Sequence, residues 1–138
     1  MKEKLKCIML IDDDEPTNFI NKMIINQAQC TEAIKVCQTA MKALDFLKTK
    51  IDGEYPKPNL ILLDINMPGI NGWEFLEEYA KLPISQQAEV VLVMLTTSLN
   101  PDDKERAERI PEVSGFKNKP LSKEIIHEIL MEHFPDKQ

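Results

Sequence analysis

No apolar run in the sequence approaches the ~20 residues needed to cross a bilayer; the longest candidate, Val90 to Leu95, has the length of one strand. The charged start, Met1 to Lys6, is followed by an apolar run that stops at Asp12, too short and too acidic at its end for a secretory signal. A cytoplasmic protein without membrane contact is the simplest expectation. There is also no stripe of Lys and Arg, and the net charge is −6, which argues against nucleic acid as a direct partner. Cysteine is scarce: Cys7, Cys30 and Cys37 form no C-x-x-C pair and have no histidines at metal-ligand spacing. Reduced, buried thiols are expected. The two histidines, His127 and His133, stand at unrelated spacing and are expected to be ordinary flanking residues. With 43% hydrophobic and 29% charged residues over 138 positions, the chain has the means to bury one domain-sized core.

What is present is alternation. Lys6 to Ile11 is an apolar run that ends on three aspartates; Pro16 then opens a helix, with Phe19, Ile20, Met23, Ile24 and Gln27 at helical spacing. Ala33 to Cys37 reads as a strand, and Thr39 caps a helix with inner face Ala40, Ala43, Leu44 and Leu47. After a loop from Asp52 to Asn59, Leu60 to Leu63 is apolar at every position, as in a strand buried on both faces. A tight loop, Asn66 to Gly72, leads to a helix with stripe Trp73, Leu76, Tyr79 and Ala80. Val90 to Leu95 is a fourth strand with outlet Thr96 to Asn100, and Pro101 to Arg109 is a weakly amphipathic helix. Val113 to Asn118 is a polar fifth strand, and Ser122 opens a last helix burying Ile125, Ile126, Ile129 and Leu130, with His133 near that side. Repeated βα units with continuously apolar central strands predict an α/β fold: a five-stranded parallel sheet with helices on both faces. No linker or composition break marks a second domain.

In such sheets ligands bind beyond the carboxyl ends of the strands. The strand exits carry Asp12, Asp13 and Asp14, then Asp64, then Thr96 and Thr97, then Lys119. Taken singly, each has an ordinary explanation: an aspartate before a helix is a common cap, and Lys119-Pro120 can be a turn. Asp64 is less easily dismissed, because it follows a fully apolar strand and is costly to bury without a cation. Gathered on one rim, several carboxylates need a positive charge to stay ionised, and oxygen-only donors favour a hard cation, Mg²⁺ above all.

Leu10-Ile11-Asp12-Asp13, Leu62-Leu63-Asp64-Ile65-Asn66-Met67-Pro68-Gly69-Ile70-Asn71-Gly72, Met94-Leu95-Thr96 and Lys119-Pro120-Leu121 together resemble the receiver domain of bacterial two-component response regulators. The resemblance runs over nearly the whole chain, in order. It implies a doubly wound, flavodoxin-like sheet of order 2-1-3-4-5 and a stand-alone receiver over residues 1–138. It further implies Asp64 as phosphoacceptor and Asp12, Asp13, Asp64 and the backbone carbonyl of Asn66 as ligands of Mg²⁺, for which Mn²⁺ can substitute. Thr96 is implied as the switch hydroxyl, Lys119 as the phosphoryl-pairing lysine before a cis proline, and Phe116 as the switch aromatic. The implied donor is a sensor histidine kinase or a histidine phosphotransfer protein, and the implied reader is a downstream protein, since no output domain is expected.

Three positions depart from the common pattern. Asp14 extends the acidic pair and reads as a helix cap, Phe116 lacks a tyrosine hydroxyl, and Thr97 is bulkier than usual and narrows access. Two rival readings turn on single residues. An aspartyl phosphatase presents a second acid two positions after its nucleophile, where this chain has Asn66. A receiver-like module that is never phosphorylated loses an acid or the lysine, and here Asp12, Asp13, Asp64, Thr96 and Lys119 are all present. The expected role is a switch that catalyses only its own phosphorylation and dephosphorylation.

Overall fold

The computed structural model describes residues 4–67, 69–87, 90–97 and 100–135; Pro68 of the loop motif and positions 98 and 99 of the Thr96–Asn100 outlet lie outside them. Five strands, β1 (Leu5–Ile11), β2 (Thr31–Cys37), β3 (Leu60–Asp64), β4 (Val91–Thr96) and β5 (Gly115–Asn118), pair in parallel in the order β2-β1-β3-β4-β5. The helices are α1 (Glu15–Ala28), α2 (Ala40–Lys48), α3 (Gly72–Tyr79), the single turn α4 (Ile84–Gln87), α5 (Pro101–Glu108) and α6 (Lys123–His133). The expected fold and strand order are therefore observed. Among the described residues no helix is long and apolar enough to cross a membrane.

The sheet separates two cores. On one face Met9, Ile11, Ile61, Leu63, Leu92 and Met94 meet α2, α3 and α5; on the other Leu5, Ile8, Leu10, Leu62, Val93 and Leu95 meet α1 and α6. The alternation of Cβ direction along each strand makes this division, and it explains why the central strands must be apolar at every position. The helix starts are capped as expected: Thr39 accepts from the Lys42 N–H and Ser122 from the Ile125 N–H, which satisfies otherwise orphaned donors.

Three local expectations need correction. Of the α1 residues at helical spacing only Ile24 packs on the core: Phe19, Ile20 and Met23 are 64%, 51% and 45% exposed, while Asn18, Asn21 and Ile25 are buried. The buried face instead runs through Asn18, Asn21 and Ile25, with Ile24 and Ala28 partly buried beside it, and Asn18 on that face bonds to the strand exit as described below. On α3, Ala80 is exposed and Phe75 takes the inner position, stacked 5.8 Å from Tyr79. The one-turn α4 has no counterpart in the sequence pattern; Gln86 and Gln87 hold it by donating to the carbonyls of Leu47 and Leu82. Cys30 and Cys37 are buried free thiols and Cys7 is half-buried.

Candidate functional site

The chain places the predicted acids together because β1 and β3 are neighbours whose connections leave in opposite directions, which opens a crevice at their carboxyl ends. Asp12 is fixed at the end of β1 by its N–H, which donates to the Cys37 carbonyl at 3.1 Å. Its Oδ1 accepts from the Asp14 N–H at 3.0 Å, and its own carbonyl accepts from Asn18 Nδ2 at 2.8 Å. Asp14 is used as expected, capping α1 by accepting from the Thr17 N–H at 3.1 Å and from the Thr17 hydroxyl. Asp13 stands exposed at the mouth, and Asp64 ends β3, opposite Leu95, with 7% exposure.

One carboxylate oxygen from each of Asp12, Asp13 and Asp64 lies within 4.8 Å of the others. Lys119 reaches in from the end of β5, its Nζ 2.6 Å from Asp12 Oδ2 and 3.2 Å from Asp64 Oδ1. Its N–H donates to the Thr96 carbonyl at 2.7 Å, and the bond to Pro120 is cis, as the resemblance implied. Burial raises the Asp64 pKa, the charge of Asp12 raises it further, and Lys119 offsets part of this. Burial works against the Lys119 ammonium, but its hydrogen bond to Asp12 and the charges of Asp12 and Asp64 outweigh that and raise its pKa. Three carboxylates facing one ammonium leave the cluster negative. With oxygen donors alone, that excess suits a hard divalent cation. Asn66 follows Asp64 by two residues in the adjoining loop, its side chain exposed.

Thr96 is fully buried at the end of β4, beside Asn118 of β5. Phe116 is half-buried, two positions further back in the same pair of strands, and borders a groove with Lys104, Ala107 and Glu108 of α5. Thr97 is exposed and lines a mostly apolar groove with Ile20, Lys119, Pro120 and Leu121.

Two supporting residues go beyond those expected from the sequence. Gly72 begins α3 with its N–H donating to the Ile65 carbonyl at 2.8 Å, and a Cβ there would sit 2.6 Å from the Asp64 carbonyl oxygen. A signal for it exists: a glycine, one of four in the chain, directly follows the Asn71 of a capping box closed by Glu74. Asn18 is the other, and it carries no such signal, since a polar residue within the first turns of a helix is most often exposed.

An open parallel sheet with an aspartate and lysine cluster at its topological switch point defines the class. The chain belongs to the response regulator receiver domain family, whose model matches residues 8–131. Response regulator Rcp1 of Synechocystis sp. is 34% identical over 101 residues, covering 71% of this chain and 66% of Rcp1. The transcriptional regulatory protein CitT of Halalkalibacterium halodurans is 28% identical over 92% of this chain, which spans only 51% of CitT. Among solved structures, a two component response regulator from Cytophaga hutchinsonii superposes with TM-score 0.87 at 29% identity, covering 96% of this chain and 99% of that one. The Mn²⁺-bound form of Rcp1 gives TM-score 0.72 at 27% identity, covering 95% and 94%.

Proposed function

We propose that the protein is a phosphorylation-dependent signalling switch in which Asp64 accepts a phosphoryl group from the phosphohistidine of a sensor kinase or a histidine phosphotransfer protein. The observation that carries this reading is the bridge of Lys119 between Asp12 and Asp64 at the mouth of a carboxylate cluster. An Oδ of Asp64 forms the bond to phosphorus as the bond from phosphorus to the imidazole nitrogen breaks, giving an acyl phosphate. Lys119, already in contact with Asp64, pairs with the arriving charge, and the Thr96 hydroxyl donates to a phosphoryl oxygen. Asp12, Asp13, Asp64 and the backbone carbonyl of Asn66 would hold Mg²⁺, or Mn²⁺ as in the bound form of Rcp1. Such a cation supplies charge neutralisation for the transferring group. Asn66 offers no carboxylic acid, so turnover of an outside phosphate ester lacks its proton donor.

The apolar face of α1 supports a protein donor: Phe19, Ile20 and Met23 lie exposed on the helix whose Ile20 also borders the groove beside Lys119. Output passes through the surface of α5, β5 and α6. Incubation with acetyl phosphate and Mg²⁺ should add one phosphoryl group, labile to alkali and hydroxylamine, to the wild type and none to Asp64→Asn. Stable labelling of that variant on a hydroxyl residue would refute the acyl phosphate.

A further inference from the structure

Asn18 is 4% exposed in the second turn of α1, in a helix that leaves Phe19, Ile20 and Met23 in solvent. Asparagine is a poor helix former, and burying an amide is favourable only when both of its ends are paired. Here one end is paired. Nδ2 donates to the Asp12 carbonyl at 2.8 Å, and Oδ1, also buried, has no hydrogen-bond partner among the described residues. An apolar side chain of the same size would remove that orphaned oxygen. A position where local propensity, polarity and helix orientation are all set against stability is one where a site requirement is the economical explanation.

The requirement follows from how Asp12 is held. Four hydrogen bonds fix it: its N–H to Cys37, its carbonyl from Asn18, Oδ1 from the Asp14 N–H, and Oδ2 from Lys119. The Lys119 bond is the one a cation at Asp12 would weaken or replace, because ammonium and cation draw on the charge of the same carboxylate. With that bond gone, the Asn18 bond is the side-chain bond that still anchors the residue to α1. We infer that Asn18 is a positioning residue that fixes the main chain at Asp12 and so places its carboxylate to bind a divalent cation. This rests on the metal reading of the Asp12, Asp13 and Asp64 cluster.

The test is direct cation binding, followed by the loss of the free Mn²⁺ signal in electron paramagnetic resonance, with no phosphoryl donor present. Asn18→Leu removes the donor and the orphaned oxygen at similar volume, whereas Asn18→Gln keeps an amide. Thermal unfolding without metal is recorded for each. The expected result is Mn²⁺ binding weakened about tenfold in Asn18→Leu, the scale of lost outer-shell support, with partial recovery in Asn18→Gln. The metal-free melting temperature of Asn18→Leu should be at or above that of the wild type. Wild-type affinity in Asn18→Leu, or equal loss in both variants, overturns the inference. Should Asn18→Leu fail to fold, Asn18→Ala is read by the same criteria. Absence of Mn²⁺ binding by the wild type removes the metal reading itself, and the inference with it.

Discussion

The ammonium of Lys119 lies closer to Asp12 than to Asp64, at 2.6 Å against 3.2 Å. The lysine therefore sits as a counter-ion between Asp12 and Asp64, and its charge opposes that of any cation drawn to the same carboxylates. Removing one partner of a buried ion pair leaves an uncompensated charge, at a cost of about 3–5 kcal/mol. Lys119→Met should accordingly unfold at lower denaturant in metal-free buffer, bind Mn²⁺ more tightly than the wild type, and regain much of its stability when the cation is added. Weaker Mn²⁺ binding in the variant would show that the lysine assists the cation and does not compete with it.

The sign of the Asp64 shift gives a second prediction. Burial, and then the charge of Asp12, raises its pKa in the fold. A raised carboxylate contributes stability that is full below its unfolded pKa and is lost as pH rises through the folded value. The ionised form is thus the less favourable one in the metal-free protein at neutral pH. Asp64→Asn should be more stable than the wild type in chelator at neutral pH, and the difference should close below about pH 4. A variant less stable than the wild type at neutral pH would mean that Lys119 stabilises the Asp64 carboxylate by more than burial costs it.

Gly72 supplies a third. Because a Cβ there meets the Asp64 carbonyl oxygen at 2.6 Å and Ile65 Cα at 2.9 Å, both backbone, α3 or the end of β3 must shift to admit it. Gly72→Ala should cost about 1–3 kcal/mol in urea unfolding and weaken Mn²⁺ binding together with stability. Gly69, with φ of +75° and no atom within 4 Å of where a Cβ would lie, is the control. Gly69→Asn should lose stability through its left-handed backbone alone, less than another side chain would because asparagine tolerates that conformation, and should leave Mn²⁺ binding unchanged. If Gly72→Ala bound Mn²⁺ as tightly as the wild type, the close approach would matter for stability alone.

The parts of the fold legible in the sequence were those fixed by one strong physical demand. Leu60–Asp64 and Val91–Thr96 are buried on both faces and could be nothing but central strands, and they delivered Asp64 and Thr96 to the rim. Ala40, Ala43, Leu44 and Leu47 were equally plain, since α2 has a single apolar stripe. Legibility failed where two demands competed. On α1 the apolar spacing runs through exposed Phe19, Ile20 and Met23 as well as half-buried Ile24, while the buried face also takes Asn18 for its bond to the Asp12 carbonyl. Gly72 escaped because its role is a contact with a backbone carbonyl eight positions earlier, which no periodicity records. The roles of Asp12, Asp13, Asn66, Thr96, Phe116 and Lys119 came from resemblance; spacing alone allowed caps and turns.

The last prediction concerns the route from Asp64 to the surface. Thr96 ends β4 fully buried, and its carbonyl accepts from the Lys119 N–H at 2.7 Å. Thr96 and Lys119 therefore meet at the ends of the paired strands β4 and β5 through this backbone hydrogen bond, so movement of either side chain toward a phosphoryl group pulls on the end of β5. Two residues back from Lys119, Lys117 is clamped to Glu128 and Glu132 of α6 at 3.2 and 3.1 Å, which carries such a pull to the outer helix. Phosphorylation should change hydrogen exchange chiefly from Thr96 through β5 to the middle of α6. Thr96→Ala should still accept phosphate on Asp64 and transmit a much smaller change. Losing one charge-assisted hydrogen bond costs about 1.5–3 kcal/mol, which shifts a two-state equilibrium by about tenfold or more. If the phosphorylated variant showed the full wild-type change across β5 and α6, the coupling would run through Lys119 alone, and Thr96 would be only a well-buried strand end.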